Sequence, residues 1–228
     1  MSQKKIRHTL VLQIYFAYDV FWIQIQYKIF LYYRFLYDLK QNGVMRISSR
    51  ELAERMGLTA SQIRQDLNCF GEFGQQGYGY SVEQLYDALH HILGVSAPSR
   101  AVLLGVGNLG RALINHISFA NKGFELVGIF DDASSLIGST IHDIVVQPTT
   151  DLESFCEKNA PELAILCIPK EAAPQLVERL IGCGVNAFWN FSHYDIAVHH
   201  PQTVVENVHL GDSLMTLSYR INQSKRGE

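Results

Sequence analysis

Gly105-Val106-Gly107-Asn108-Leu109-Gly110 lies between a short apolar run, Ala101 to Leu104, and a helix-compatible segment, Arg111 to Phe119. A second apolar run, Phe124 to Phe130, ends in Asp131, about 20 residues beyond the last glycine. Strand, glycine loop, helix, strand and acid in this order mark a dinucleotide-binding βαβ unit. Gly105 allows the tight turn out of the strand, Gly107 lets backbone approach a pyrophosphate, and Gly110 lets helix and strand pack closely. The helix start offers unpaired N–H groups and a positive dipole end to the phosphates. A carboxylate at Asp131 can accept both hydroxyls of the adenosine ribose and repels a 2′-phosphate, which favours NAD over NADP.

At 228 residues the chain can hold one large domain or two small ones. Its net charge of −3 neither supports a nucleic-acid partner nor argues much against one. Cys69, Cys156, Cys167 and Cys183 have no CxxC or other metal-ligand spacing, so no metal is expected. They read as reduced, partly buried thiols of a cytoplasmic protein. His90-His91 and His199-His200 are adjacent pairs, which diverge on helix or strand and read as surface residues. Residues 1–29 form an atypical, aromatic-rich leader. Gln13, Asp19, Gln24, Gln26 and Lys28 interrupt it too often for a membrane span, and it is a poor match to a cleaved signal, so no membrane partner is expected.

The stretch 30–95 reads as a winged helix-turn-helix. A helical pattern beyond Lys28 runs to about Leu39 and stops at Asn42-Gly43. Ser48 with Glu51 is a capping box opening a short helix that Gly57 closes. Thr59 with Gln62 repeats the box and opens a second helix whose apolar stripe is Ile63, Leu67 and Phe70. Ser61, Gln62, Arg64 and Gln65 then face outward, and Arg and Gln are the side chains that read guanine and adenine edges in two contacts. An ordinary αα-hairpin with a solvated face fits these helices equally well. The Gly-rich, aromatic-interleaved run Gly71 to Tyr80 tips the reading to a wing, with Gln75 and Gln76 at its tip and Tyr78 beside them. Ser81 with Gln84 caps a helix from Val82 to Leu93.

Residues 99–208 continue as a Rossmann-type parallel sheet. Strands are expected at Ile144–Val146, Leu163–Pro169, Asn186–Phe191 and Thr203–Val208, and helices at Asp151–Asn159 and Lys170–Ile181. Residues 209–228 form a last helix, with Leu210, Leu214, Leu217 and Ile221 as core or as a partner-facing seam. The fold class is therefore α/β, a winged helix followed by a Rossmann unit and a terminal helix.

The chain resembles the Rex family of redox-sensing transcriptional repressors. The resemblance rests on Ser61-Gln62-Ile63-Arg64-Gln65-Asp66-Leu67-Asn68-Cys69-Phe70-Gly71-Glu72-Phe73-Gly74-Gln75-Gln76-Gly77-Tyr78-Gly79-Tyr80, on the glycine fingerprint, and on Val205-Glu206-Asn207-Val208. It implies a homodimer in which the C-terminal helix is exchanged, Leu210 to Ile221 inserting between the partner's two domains. It also implies that palindromic operator DNA is bound with NAD or no cofactor and released when NADH closes the dimer. By position, Arg64 and Gln65 would read bases, Ser61 and Gln62 would contact backbone or base, and Tyr78 and Tyr80 would shape the wing. Val106, Asn108, Leu109, Asp131 and Asp132 would line the dinucleotide, with Ile168, Pro169, Asn190 and Phe191 near the nicotinamide at carboxyl ends of strands.

Three positions depart from the family pattern. Lys28-Ile29-Phe30 stands where many members carry Arg-Leu-Pro. His116 and His209 occupy the places of a Tyr and an Asp that form a redox-state switch in some members, and imidazoles there could couple it to proton uptake. Leu210 replaces a nicotinamide-facing aromatic. The alternative function is an NAD-dependent oxidoreductase with an N-terminal helical domain, which needs a proton donor near the hydride site. His193, Tyr194 and Asp195 are its best candidates. The remaining length holds no substrate domain, so the chain is read as a sensor and not an enzyme.

Overall fold

The computed structural model describes residues 28–69, 71, 73–75 and 78–226. Of the positions singled out above, residues 1–27 of the leader, Phe70 and Gln76 lie outside the described residues, and so does the side chain of Gln75. The chain divides into two compact units, the first ending at Ser96 and the second starting at Ala97.

In the first unit, helix α1 (28–41) buries Ile29, Tyr32, Tyr33, Leu36 and Leu39, the three-and-four spacing of one helix face. They meet Leu52 and Ala53 of α2 (Ser49–Met56), Ile63 and Leu67 of α3 (Ala60–Asn68), and Leu85 and Leu89 of α4 (Val82–Ile92). Full burial of each such leucine or isoleucine is worth about 1.5–3 kcal/mol. Both expected capping boxes are present: Ser48 with Glu51, and Thr59 with Gln62. Three short strands, β1 (Arg46–Ile47), β2 (Gly74–Gln75) and β3 (Gly79–Ser81), form an antiparallel sheet in the order β1-β3-β2, which completes the winged helix. His90 is not a surface residue: its Nδ1 lies 2.9 Å from the Tyr33 hydroxyl, and it stacks with Tyr33 and Tyr86. It sits one turn beyond Tyr86 on the aromatic face of α4, which the spacing of the two histidines did not reveal.

The second unit is a seven-stranded sheet in the order β10-β9-β8-β4-β5-β7-β6. Its strands are β4 (Ser99–Leu104), β5 (Phe124–Phe130), β6 (Thr140–Ile141), β7 (Ile144–Gln147), β8 (Leu163–Leu166), β9 (Ala187–Asn190) and β10 (Val204–Asn207). All pairs are parallel except β6 with β7. Without β6 this is the doubly wound dinucleotide-binding order, with its switch point between β4 and β8. Residues 101–104 of β4 and all of β8 are buried, as expected of central parallel strands.

Helix α5 (Asn108–His116) begins three residues before the expected start and ends three before the expected end. Gly107, in extended conformation, serves as its N-cap, so Gly110 is inside the helix. β8 stops at Leu166, leaving Cys167, Ile168 and Pro169 in the loop beyond it. The β6–β7 hairpin went unread because its turn is His142-Asp143, both at positive φ, where Asn-Gly or Asp-Gly is the usual signal. The other helices are α6 (Leu152–Asn159), α7 (Ala173–Gly182), the short α8 (Ile196–His199) and α9 (Leu210–Arg226). His200 is half-buried, 3.6 Å from Glu178, and so is also not the surface residue expected.

Arg179 on α7 grips Glu153 on α6 through two 2.6 Å hydrogen bonds and donates a third to the Thr149 carbonyl. The guanidinium holds the Glu153 carboxyl down to about 2, from an ordinary value of 4.5. A depressed folded-state value means the pair stabilises fully above about pH 4.5, and that stability is lost as pH falls towards 2. Glu153 is 47 % exposed, so screening limits the gain to about 1 kcal/mol or less. Glu153→Gln should therefore flatten the acid limb of urea-unfolding midpoints between pH 4.5 and 2. An unchanged limb would show that the pair contributes nothing to acid stability.

Candidate functional site

The glycine loop sits at the switch point of the sheet. Gly105 has φ +94, and a Cβ there would collide with the Cys167 carbonyl and crowd the Ile168 side chain. A Cβ on Gly110 would collide with the Gly105 carbonyl. Gly107 is the opposite case: it is exposed, and a Cβ there meets nothing within 4 Å. No side chain caps α5, so its first N–H groups have no side-chain partner at the start of the helix. Backbone pressed tight on two sides and open above a helix start fits a diphosphate bridge.

Asp131 lies at the end of β5 and accepts 2.6 Å from the Val106 N–H and 2.8 Å from the Ala133 N–H. These use two of about four acceptor positions on a carboxylate, leaving others for ribose hydroxyls beside the loop. Val106 is buried, Leu109 half-buried and Asn108 exposed at the helix start. Asp132 takes another part: both its oxygens accept from the Thr149 hydroxyl, and Oδ1 also from the Thr149 N–H. It pins the turn after β7 to the end of β5.

Ile168 is half-buried beside Gly105, and Pro169 is exposed next to it. Asn190 is 1 % exposed and fully engaged within the protein. Its amide donates to the Tyr194 carbonyl and to Asn207 Oδ1, while its oxygen accepts from the Ser192 N–H and hydroxyl. With no capacity left over, Asn190 shapes the loop after β9, where sequence reasoning placed it against a ligand. Phe191 is nearly buried and packs edge-on against Trp189 at 4.8 Å. Burial pushes the Cys167 thiol up to about 12, so it stays protonated at neutral pH.

His116 ends α5 and lines an apolar cavity of about 640 Å³ with Phe119, Phe124, Leu163, Trp189 and Val204. Phe124, Leu163, Ala187 and Val204 begin their strands, so this cavity opens at the end of the sheet opposite the glycine loop. His209 is instead paired with His193, Nδ1 to Nδ1 at 2.7 Å with stacked rings. Helix α9 buries no residue; Leu210, Leu214, Leu217 and Ile221 are 45–68 % exposed and so are not part of this chain's core.

On the winged helix, Ser61, Gln62, Arg64 and Gln65 are all exposed on α3, while Ile63 and Leu67 are buried beneath them. Gln62 Oε1 closes the capping box on Thr59, which leaves only its NH2 group free to donate. Arg64 donates a 3.2 Å hydrogen bond to the Ser49 hydroxyl. Asp66, overlooked in the sequence, fixes α3 to α1 by accepting 2.9 Å from Lys28 Nζ and 2.9 Å from the Tyr32 hydroxyl. Arg46 was also missed: it donates to the Tyr78 carbonyl and lies over that exposed ring, adding a cation beside the wing. Only the strand pairing brings Arg46 and Tyr78 together.

A winged helix and a doubly wound dinucleotide-binding unit on one chain define a nucleotide-responsive DNA-binding regulator. Residues 29–68 match the family described as putative DNA-binding protein N-terminus, and residues 96–194 match the CoA binding domain family. The redox-sensing transcriptional repressor Rex of Thermoanaerobacter sp. (strain X514) is 50 % identical over 194 residues, covering 85 % of this chain and 86 % of that protein. Rex of Clostridium beijerinckii is 48 % identical over 195 residues, covering 85 % and 92 %. The structure of RSP, a Rex-family repressor, in complex with β-NAD+ and operator DNA superposes with a TM-score of 0.81 at 48 % identity, covering 89 % of this chain and 93 % of that one. RSP in complex with β-NADH gives 0.79 at 45 %, covering 89 % and 95 %. The chain belongs to the Rex family of redox-sensing transcriptional repressors. These relatives are repressors and not enzymes, which sets aside the oxidoreductase reading. Among the described residues no group of three His, Cys, Asp or Glu is placed to hold a metal ion, and no helix is long and apolar enough to cross a membrane.

Proposed function

We propose that this chain is a cytoplasmic homodimeric repressor that holds palindromic operator DNA through α3 and the wing and lets go when NADH binds the Rossmann unit. The observation that carries this reading is the open Gly107 over the uncapped start of α5, on the same chain as the exposed polar face of α3. The pyrophosphate of the dinucleotide would lie there on backbone N–H groups, with the ribose diol on Asp131. Arg64 and Gln65 would read base edges, and Arg46, Ser61, Gln62 and the wing would hold phosphate.

A ligand shifts an equilibrium only through unequal affinity for its states. NAD carries a cationic planar ring and NADH a neutral puckered one, and apolar surroundings favour the neutral form. Ile168, the edge of Phe191 and the partner's Leu210 supply such surroundings in this reading. Calorimetric titration should show NADH binding at least tenfold more tightly than NAD, a difference of about 1.4 kcal/mol. Equal affinities would overturn the assignment of the selectivity.

Exchange of α9 between subunits accounts for its bare apolar stripe and would bring the partner's His209 towards His116. Leu214→Asp should turn the dimer into a monomer in sedimentation. It should also weaken operator binding by at least about tenfold, since the second half-site is then no longer held at high effective concentration. A Leu214→Asp protein that sediments as a dimer would place the interface elsewhere.

A further inference from the structure

The seam between α6 and α7 carries a second pair besides the Glu153–Arg179 ion pair. Glu153 and Cys156 are three apart on α6, and Arg179 and Cys183 are four apart at the end of α7, so each couple shares a helix face. The ion pair closes one turn of this seam, and one turn on come Cys156 and Cys183, the neighbouring Cys183 thiol helping to hold the Cys156 thiol protonated. Both sulfurs belong to the same packed core cluster. Cys156 is 2 % exposed. Cys183 is half-buried and lines an open cleft with Glu157 and Arg179, whose guanidinium carries positive charge close to its sulfur.

We propose that Cys156 and Cys183 are a thiol-oxidation site, closing reversibly to an intramolecular disulfide when a hydroperoxide enters that cleft. Cys183, accessible beside a guanidinium, attacks first. Its thiolate sulfur bonds to one peroxide oxygen, the O–O bond breaks, and the departing hydroxide takes a proton to leave as water. Cys183 is then a sulfenic acid. The Cys156 sulfur attacks the Cys183 sulfur, the S–O bond breaks and a second water leaves. Two thiols and one hydrogen peroxide thus become one disulfide and two waters, and a dithiol reverses the change. Burial pushes Cys156 up to about 12, which suits the resolving thiol and not the first to react. The bond would tie α6, the crossover from β7 to β8, to α7 behind the Ile168–Pro169 loop.

The test uses the full-length, reduced, desalted protein treated with hydrogen peroxide, alkylated, and mapped by mass spectrometry without reductant. The expected result is one cross-linked peptide pair, Cys156 to Cys183, two hydrogens lighter than the dithiol form and restored by dithiothreitol. Cys183→Ser should abolish it, and Cys167→Ser should leave it unchanged. A first disulfide through Cys69 or Cys167, bonds only between chains, or a Cys183 that goes on to sulfinic acid without cross-linking would each overturn the proposal. The wild-type map decides by itself if a variant fails to fold. NADH binding is not part of the readout, so its outcome is separate from the proposed repressor function.

Discussion

A Gly107→Val variant is expected to bind operator DNA as the parent does and to stay bound when NADH is added. The separation follows from the surroundings of that one Cα. Gly107 has φ −67 and ψ −167, extended values that valine adopts without strain, and nothing lies within 4 Å of an added Cβ. The one expected cost is that valine is a poorer N-cap than glycine, so stability should fall by about 1 kcal/mol or less. The added methyl groups would occupy the space through which a diphosphate reaches the first N–H groups of α5. NADH affinity should fall at least tenfold, about 1.4 kcal/mol, with larger losses as the bridge is pushed off the helix axis. Fluorescence titration of NADH and a thermal melt read the two effects separately. Gly110→Ala is the contrasting control, because its Cβ strikes the Gly105 carbonyl, and overpacking of that kind costs about 1–3 kcal/mol of folding stability. A Gly107→Val protein that still released DNA with NADH would move the cofactor off this loop.

Arg64→Ala should weaken cognate operator binding by about 1–3 kcal/mol, roughly five- to 150-fold, and relax discrimination at one base position. Arg64 is exposed on α3 and, among the described residues, hydrogen-bonds the Ser49 hydroxyl, so truncation leaves the buried Ile63 and Leu67 in place. Competition against operators with single base changes, at fixed salt, measures the relaxation. Uniform weakening across all sequences, with a salt slope shallower by about one, would instead make Arg64 a phosphate contact.

The parts legible in the sequence are those whose signal is local. Ser48 with Glu51 and Thr59 with Gln62 announce two helix starts because the capping box is made within four residues, and both are found. Ala101 to Leu104 and Leu163 to Pro169 read as buried parallel strands because short unbroken apolar runs suit strands covered on both faces; residues 101–104 and 163–166 are buried strand, and the second run leaves the sheet after Leu166. What the sequence does not show depends on partners far along the chain. Asn190 reads as a ligand contact by its place at a strand end, yet Asn207, on the neighbouring strand, takes one of its amide hydrogens. Asp132 is indistinguishable from Asp131 in the sequence; Thr149 claims the one, and the glycine loop the other. His90 turns inward because Tyr33, on another helix, offers it a hydroxyl. The polar role of a side chain is fixed by what folds against it, and short-range pattern does not carry that information.

The α5 boundary makes the same point at finer scale. Gly110 lies just ahead of Arg111 to Phe119, the segment that reads as helical, and the structure puts it inside the helix, where the Gly105 carbonyl leaves no room for a Cβ. The conformation of the loop was legible because it is carried by backbone, and backbone freedom and close approach are what glycine spacing encodes.

The measurement that bears most directly on the central claim is fluorescence anisotropy of a labelled palindromic operator held by the full chain and titrated in parallel with NADH and NAD. Release by NADH at concentrations where NAD has little effect is the predicted result. Operator that stays bound at saturating NADH, or that is released equally by both forms, would contradict a repressor that reads the redox state of its cofactor.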